Sequence, residues 1–146
     1  MIIKFKLTTK RLLLRNFREK DDFSNYFEML KKQSKKYLAV NHLEIKKKDI
    51  FLKIKNYEGI LVAIFLKDKK VNIGTVGLSA VNKKNSSCNI GILIHNKYKR
   101  KGYAFEAMER TIKYCHLKLD IKNVYLWVKK NNFDAINLYK KLGFNI

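Results

Sequence analysis

Residues 99–104 read Lys99-Arg100-Lys101-Gly102-Tyr103-Ala104, three cations and a glycine in a turn that enters an amphipathic helical pattern. The chemistry these types suit is the holding of a phosphate. The first N–H groups of a helix have no intrahelical partner, and the helix dipole places partial positive charge there. Gly102 lacks a Cβ, so an anion can approach the backbone closely. Just upstream, Cys88, Ile90, Ile92 and Ile94 alternate with Asn89, Gly91, Leu93 and His95, the period of a strand with one apolar face. A basic turn at the carboxyl end of a strand is where ligands of α/β sheets usually bind. Lys97 to Lys101, interleaved with Tyr98 and Tyr103, also has the look of a nucleic-acid patch. The strand–turn–helix setting and Gly102 fit a small phosphate ligand better.

Other residues invite a chemical reading. Tyr139 lies on the apolar stripe of a C-terminal helical pattern; a core position explains its ring but not its phenol, which needs a partner when buried. Asn132 stands where that helix begins and suits its cap. His95 has the pKa range of a general base but sits at a strand end, where structural or solvent roles are common. Glu106 suits the first turn of its helix by charge. Cys88 and Cys115 lie far apart, with no Cys-x-x-Cys and no His at metal-ligand spacing, which argues against zinc and against a disulfide framework. No His or acid is placed in sequence to activate either thiol as a nucleophile. Two buried thiols in a reducing compartment are expected, and no metal.

The elements that must position these residues follow from periodicity. The 146 residues suffice for one domain, expected over residues 1–146, and contain no proline and no linker-like stretch. Residues 11–17 read as a strand; Asp21 and Asp22 start a helix running to about Leu38; residues 39–44 read as a loop; and residues 48–57 suit a second helix. Strands are expected over 60–67 and 71–81, joined by a tight turn at Asp68-Lys69, with Gly74 and Gly77 as bulge points. The strand at 88–95, a helix over 102–119, a strand over 123–128 and a helix from Asn132 to a stop at Gly143 complete the order β-α-α-β-β-β-α-β-α. This predicts an α/β fold: a mixed, mostly antiparallel sheet with helices on both faces and a right-handed parallel crossover between the last two strands.

The formal net charge is +21, mostly lysine spread along the whole chain. It favours anionic ligands through long-range attraction, although a compositional bias toward lysine gives the same count. The start lacks a signal-peptide core, and the longest apolar run, residues 60–66, is too short to span a bilayer, so a cytoplasmic protein without a membrane partner is expected.

Three segments in order resemble the GNAT superfamily of acyl-coenzyme A N-acyltransferases. Residues 99–104 resemble the family's pyrophosphate pattern Gln/Arg-x-x-Gly-x-Gly/Ala: Gly102 and Ala104 match, and Lys99 stands where Gln or Arg is usual. Residues 124–144 resemble Val-x-x-x-Asn-x-x-Ala-x-x-Leu-Tyr-x-x-x-Gly-Phe, with Asn132, Ala135, Leu138, Tyr139, Gly143 and Phe144 in place. Residues 8–22, TTKRLLLRNFREKDD, resemble the opening of the branch with ribosomal-protein and polyamine acetyltransferases.

The resemblance implies transfer of an acetyl group from acetyl-coenzyme A to a primary amine, on a small molecule or a protein. It implies pyrophosphate binding by Lys99, Arg100, Lys101, Gly102, Tyr103 and Ala104, with Asn132 touching the cofactor. The pantetheine arm would pair with the 88–95 strand where it splays from 124–128. A backbone N–H near Leu93 would polarise the thioester, and Tyr139 would protonate the departing thiolate. The family often carries a catalytic Glu on the strand before the phosphate turn, where this chain has Asn89; Glu44 and Glu106 are other formal candidates. Family members continue past Phe144 with a strand or two, so the sheet is expected to lack them, with a homodimer as one way to complete it. Two other readings stay open: a CoA-binding or structural protein of low activity, and a basic nucleic-acid module.

Overall fold

A computed structural model describes residues 3–32 and 46–146. Strands β1 (Lys6–Thr8) and β2 (Leu12–Asn16) precede helices α1 (Glu19–Lys32) and α2 (Lys47–Lys55). Strands β3 (Gly59–Leu66), β4 (Val71–Asn82) and β5 (Ser87–Ile94) follow, then a single 3-10 turn at Asn96–Tyr98. Helix α3 (Tyr103–Lys118), strand β6 (Asn123–Tyr125) and helix α4 (Phe133–Lys141) complete the described chain. The six strands form one sheet in the order β1-β2-β3-β4-β5-β6. All neighbours are antiparallel except β5 and β6, which run parallel across the α3 crossover.

Period-two alternation divides the sheet into two faces. Leu12, Leu14, Val62, Ile64, Val76 and Leu78 are fully buried on one, against Ala107, Met108 and Cys115 of α3 and Tyr139 of α4. Burying each large aliphatic side chain there contributes about 1.5–3 kcal/mol. The other face carries a smaller cluster, Phe23 and Leu30 of α1 with Ile50 of α2, and Leu93 of β5 packs against it. Helices therefore cover both faces, as the apolar patterns require.

Several boundaries differ from expectation. β1 was not expected: with only Leu7 buried in three residues, it is too short to show periodicity, and its pairing with β2 creates it. α1 begins at Glu19, ahead of the two aspartates. Asp22 is a buried side chain that takes both Arg15 guanidinium donors, at 2.8 and 3.0 Å, and the Arg18 N–H at 2.7 Å. The expected end of that helix near Leu38 and the loop at 39–44 lie outside the described residues. Gly74 adjoins a bulge at Ile73, but Gly77 pairs regularly with both Leu61 and Gly91; the second irregularity falls between Ser79 and Asn82. β6 ends at Tyr125 instead of Val128 because the chain there leaves β5 and has no ladder partner.

Candidate active site

The parallel pair is joined only at its start. Ser87, Cys88 and Asn89 pair with Asn123, Val124 and Tyr125, and beyond that point the two strands separate. A cavity of about 1470 Å³ lies along this split, lined from one side by residues of α3 and α4 and from the other by α1, α2 and the sheet. The size suits a ligand larger than an ordinary metabolite.

Two hydrogen bonds fix which backbone groups of β5 face the split. The Ser86 carbonyl accepts from Lys122 and Asn123 N–H on the β6 side, at 2.8 and 2.9 Å, and His95 N–H donates to Ile73 on the β4 side, at 2.8 Å. Backbone groups of successive strand residues point to opposite edges. Odd-numbered residues of β5 thus face β4, and Ile90, Ile92 and Ile94 turn their N–H and C=O toward the split. This relocates the donor expected near Leu93: its own N–H is directed at Thr75 in the β4 ladder. Its neighbours Ile92 and Ile94 hold the edge-facing amides, while Leu93 lines the cavity with its side chain.

At the end of β5 the chain enters the basic turn. Gly102 has φ 82°, and Arg100, one residue before Lys101, also has positive φ at 61°. No side chain caps α3, and its first intrahelical bond is Glu106 N–H to Gly102 C=O, 3.1 Å. The N–H groups of Tyr103, Ala104 and Phe105 thus precede the helix's own ladder and lie beside the cavity those residues line. Lys99, Arg100, Gly102, Tyr103 and Ala104 all line it. Burial, with Arg100 beside it, lowers the Lys99 pKa despite the opposing pull of Asp134. Lys101 points elsewhere: its ammonium lies over the Tyr98 ring, 5.8 Å from the centroid, leaving only its backbone for the turn.

Arg11, at the β1–β2 hairpin, braces this turn. Its Nη1 donates to the Lys101 carbonyl at 3.0 Å, its Nε to Glu106 at 2.9 Å, and its guanidinium stacks on Tyr103 at 4.4 Å. Glu106 also accepts the Arg11 N–H, at 3.1 Å. Burial opposes the Glu106 charge, but these bonds outweigh it and hold the carboxyl below its ordinary pKa. Nothing in the sequence signals this contact across some ninety residues.

α4 supplies the other wall. The Asn132 side chain accepts from Ala135 N–H at 3.2 Å, capping α4 as expected, and it also lines the cavity. Tyr139 is buried, packs edge-on against Phe144 at 6.0 Å, and lines the cavity from α4. Burial raises its pKa, so the phenol keeps its proton at neutral pH. The cavity carboxylates among the described residues are Glu106, bound to Arg11, and Asp134, 3.5 Å from Arg100.

His95 is absent from the described cavity lining; its Nδ1 accepts Lys97 N–H, and burial together with three lysines lowers its pKa. Asn89 lines the cavity on the sheet face opposite Tyr139. Cys88 and Cys115 are buried thiols that hydrogen-bond each other and stay off the lining. Glu44 lies outside the described residues.

The α1–α2 side has a different character. Gly77 and Gly91 pair directly across β4 and β5. The Tyr57 hydroxyl stands over Gly77, where an added Cβ would come 2.5 Å from it; no described residue lies within 4 Å of a Cβ at Gly91. Tyr26, Lys53, Ser79 and Asn89 line the same region. Of this group the sequence offered one overlooked signal, a glycine in the middle of an otherwise well-packed strand.

A mixed sheet whose parallel strands part over a helix N-terminus, with a basic turn on one side and a buried tyrosine on the other, is an α/β fold with a cleft suited to an extended anionic ligand. The comparisons agree. The model described as "Acetyltransferase (GNAT) domain" matches residues 11–145, and the chain belongs to that family. It is 34% identical over 73 residues to a spermidine N(1)-acetyltransferase of Escherichia coli K12, a stretch covering 50% of this chain and 39% of that protein. The chain thus matches well under half the length of that curated relative. A crystal structure of a GNAT-family acetyltransferase from Bacillus anthracis superposes with TM-score 0.83 at 22% identity, covering 97% of this chain and 84% of that one. A spermidine N-acetyltransferase from Vibrio cholerae, solved with CoA and spermine, gives 0.81 at 21% identity over 94% and 82%. At such identities these structures establish the fold.

Proposed function

We propose that this protein transfers an acetyl group from acetyl-coenzyme A to a primary amine by direct attack, in the cavity between β5 and β6. The observation that carries the reading is the convergence on one cavity of the open β5 edge, the basic turn and the protonated Tyr139. Pyrophosphate would be held by the N–H groups of the turn and of Tyr103 to Phe105, in charge-assisted bonds, with Lys99 and Arg100 supplying charge. The extended pantetheine arm would pair with the edge-facing groups of β5. The amine nitrogen attacks the thioester carbonyl carbon; the C–N bond forms and the C–S bond breaks. An N–H of Ile92 or Ile94 donates to the carbonyl oxygen as negative charge develops on it. Tyr139 donates its proton to the departing thiolate. The amine's proton leaves to water, since Glu106 and Asp134 are engaged by arginines.

Reaction in the cytosol suits the two reduced thiols. The β6 edge, with Tyr125 and Trp127 exposed beside it, offers a second copy a place to pair.

The test is calorimetric titration with acetyl-coenzyme A at moderate and high salt, beside a generic polyanion, followed by amine-dependent thiol release. Saturable one-site binding that survives salt, with thiol release, is expected. Binding without release would indicate the low-activity CoA-binding alternative. Binding matched by the polyanion and lost in salt would mean that charge alone attracts the ligand, as in a nucleic-acid module.

A further inference from the structure

The α1–α2 half of the cavity differs in chemistry from the half at the basic turn. It rests on the glycine pair Gly77–Gly91, which leaves bare backbone where side chains would otherwise fill the space. Around that floor stand the Tyr26 and Tyr57 phenols, the Ser79 hydroxyl, the Asn89 amide and the Lys53 ammonium. Burial, with Tyr57 beside it, pushes the Tyr26 pKa up to about 12. Burial also raises Tyr57, against the opposing pull of a hydrogen bond with Ser79. Both phenols are therefore neutral O–H groups at physiological pH and cannot neutralise a cation as phenolates. No described residue lining this half is a carboxylate. Among the described residues, the carboxylates that line the cavity belong to the opposite half, Glu106 on α3 and Asp134 on α4, and each faces an arginine.

Among the described residues, a substrate with a second ammonium would meet Lys53 here and no carboxylate, inside a chain whose net charge is +21. A substrate with an anionic oxygen group would meet one cation and several O–H and N–H donors. Resting on the acetyl-transfer reading, we propose that the acceptor is a primary amine that also bears a carboxylate or a phosphate, bound over Gly77–Gly91 with its anionic group toward Lys53, Tyr26 and Tyr57. This sets the chain apart from what the names of its spermidine-acetylating relatives describe.

The experiment measures amine-dependent thiol release from acetyl-coenzyme A with matched acceptors: n-butylamine, putrescine, γ-aminobutyrate and aminopropylphosphonate. The expected result is kcat/KM about tenfold or more higher for the anionic amines than for putrescine at low salt, narrowing as salt is raised. The ratio between the carboxylate and the phosphonate then identifies which anion the site takes. In Lys53→Glu, an exposed position, the preference should shrink or reverse. Putrescine or spermidine accepted as well as γ-aminobutyrate would overturn the inference while leaving acetyl transfer intact. An unchanged ranking in Lys53→Glu would overturn the placement of the anion. A protein that binds acetyl-coenzyme A yet releases thiol with no amine would overturn both readings together.

Discussion

One cavity has two halves built by different means. The half proposed for the coenzyme is mostly backbone: the open edge of β5, the left-handed turn at Arg100 and Gly102, and the first amides of α3. The half proposed for the acceptor is, among the described residues, mostly side chain: two phenols, a hydroxyl, an amide and a lysine over a pair of glycines. A backbone site reads features every acyl-coenzyme A shares, and changing it means changing the fold. A side-chain site can be rewritten one residue at a time without touching the sheet. On the proposed reading, the two halves are separated by a single strand, β5, whose even residues face one with their amides and whose odd residues face the other with their side chains.

That division can be broken or sharpened by substitution. The largest effect is expected for Tyr139→Phe, which keeps the ring packing and removes the acid: turnover should fall about 10²–10⁴-fold while acetyl-coenzyme A affinity stays nearly constant. Unchanged turnover would remove the tyrosine from the mechanism.

Gly102→Val should strike the coenzyme half alone. It forces a β-branched residue to φ 82° and brings a Cβ within 3.2 Å of Arg11 Nη2. Strain of about 1–3 kcal/mol in the turn predicts coenzyme binding weaker by about tenfold or more in calorimetry.

Gly91→Val is its mirror in the acceptor half. No described residue would meet the added Cβ, so the fold should survive and acetyl-coenzyme A should bind as before, while KM for the amine rises about tenfold. A variant that weakened both ligands equally would merge the two halves into one site.

The pH profile separates them in another way. The attacking amine must be neutral, and burial raises the Tyr139 pKa so that its acid form persists past the ordinary tyrosine value of about 10. The expected kcat/KM climbs with pH toward the acceptor's own pKa, with no falling limb below that value; a fall near neutrality would point to another essential acid. The smallest effect belongs to Asn132→Ala. Loss of the α4 cap should cost about 1 kcal/mol in denaturant unfolding, with any change in coenzyme affinity measured separately.

The legibility of the molecule follows the same line. Helix α4 was readable from Asn132 to Gly143 because its cap, stripe and stop are all local. The turn at residues 99–104 was readable because cations, a glycine and a helix start fall within six positions. β1 was not, since three residues carry no period, and the end of β6 was not, since nothing in Leu126 or Val128 announces that β5 has moved away.

What the sequence determined by itself was therefore the longer elements, their order and the chemistry concentrated in contiguous stretches, because periodicity, capping and turn formation act over a few residues. What tertiary structure alone decided was which of these faces meet. The sequence places Leu93 in a strand, but only the register with β4 sends its N–H into the ladder and turns Ile92 and Ile94 outward; a slip of one residue would exchange them. Arg11 reaches Glu106, and Tyr57 reaches Gly77, for the same reason. Register and packing are settled by summed contacts between distant segments, and no local pattern encodes that sum.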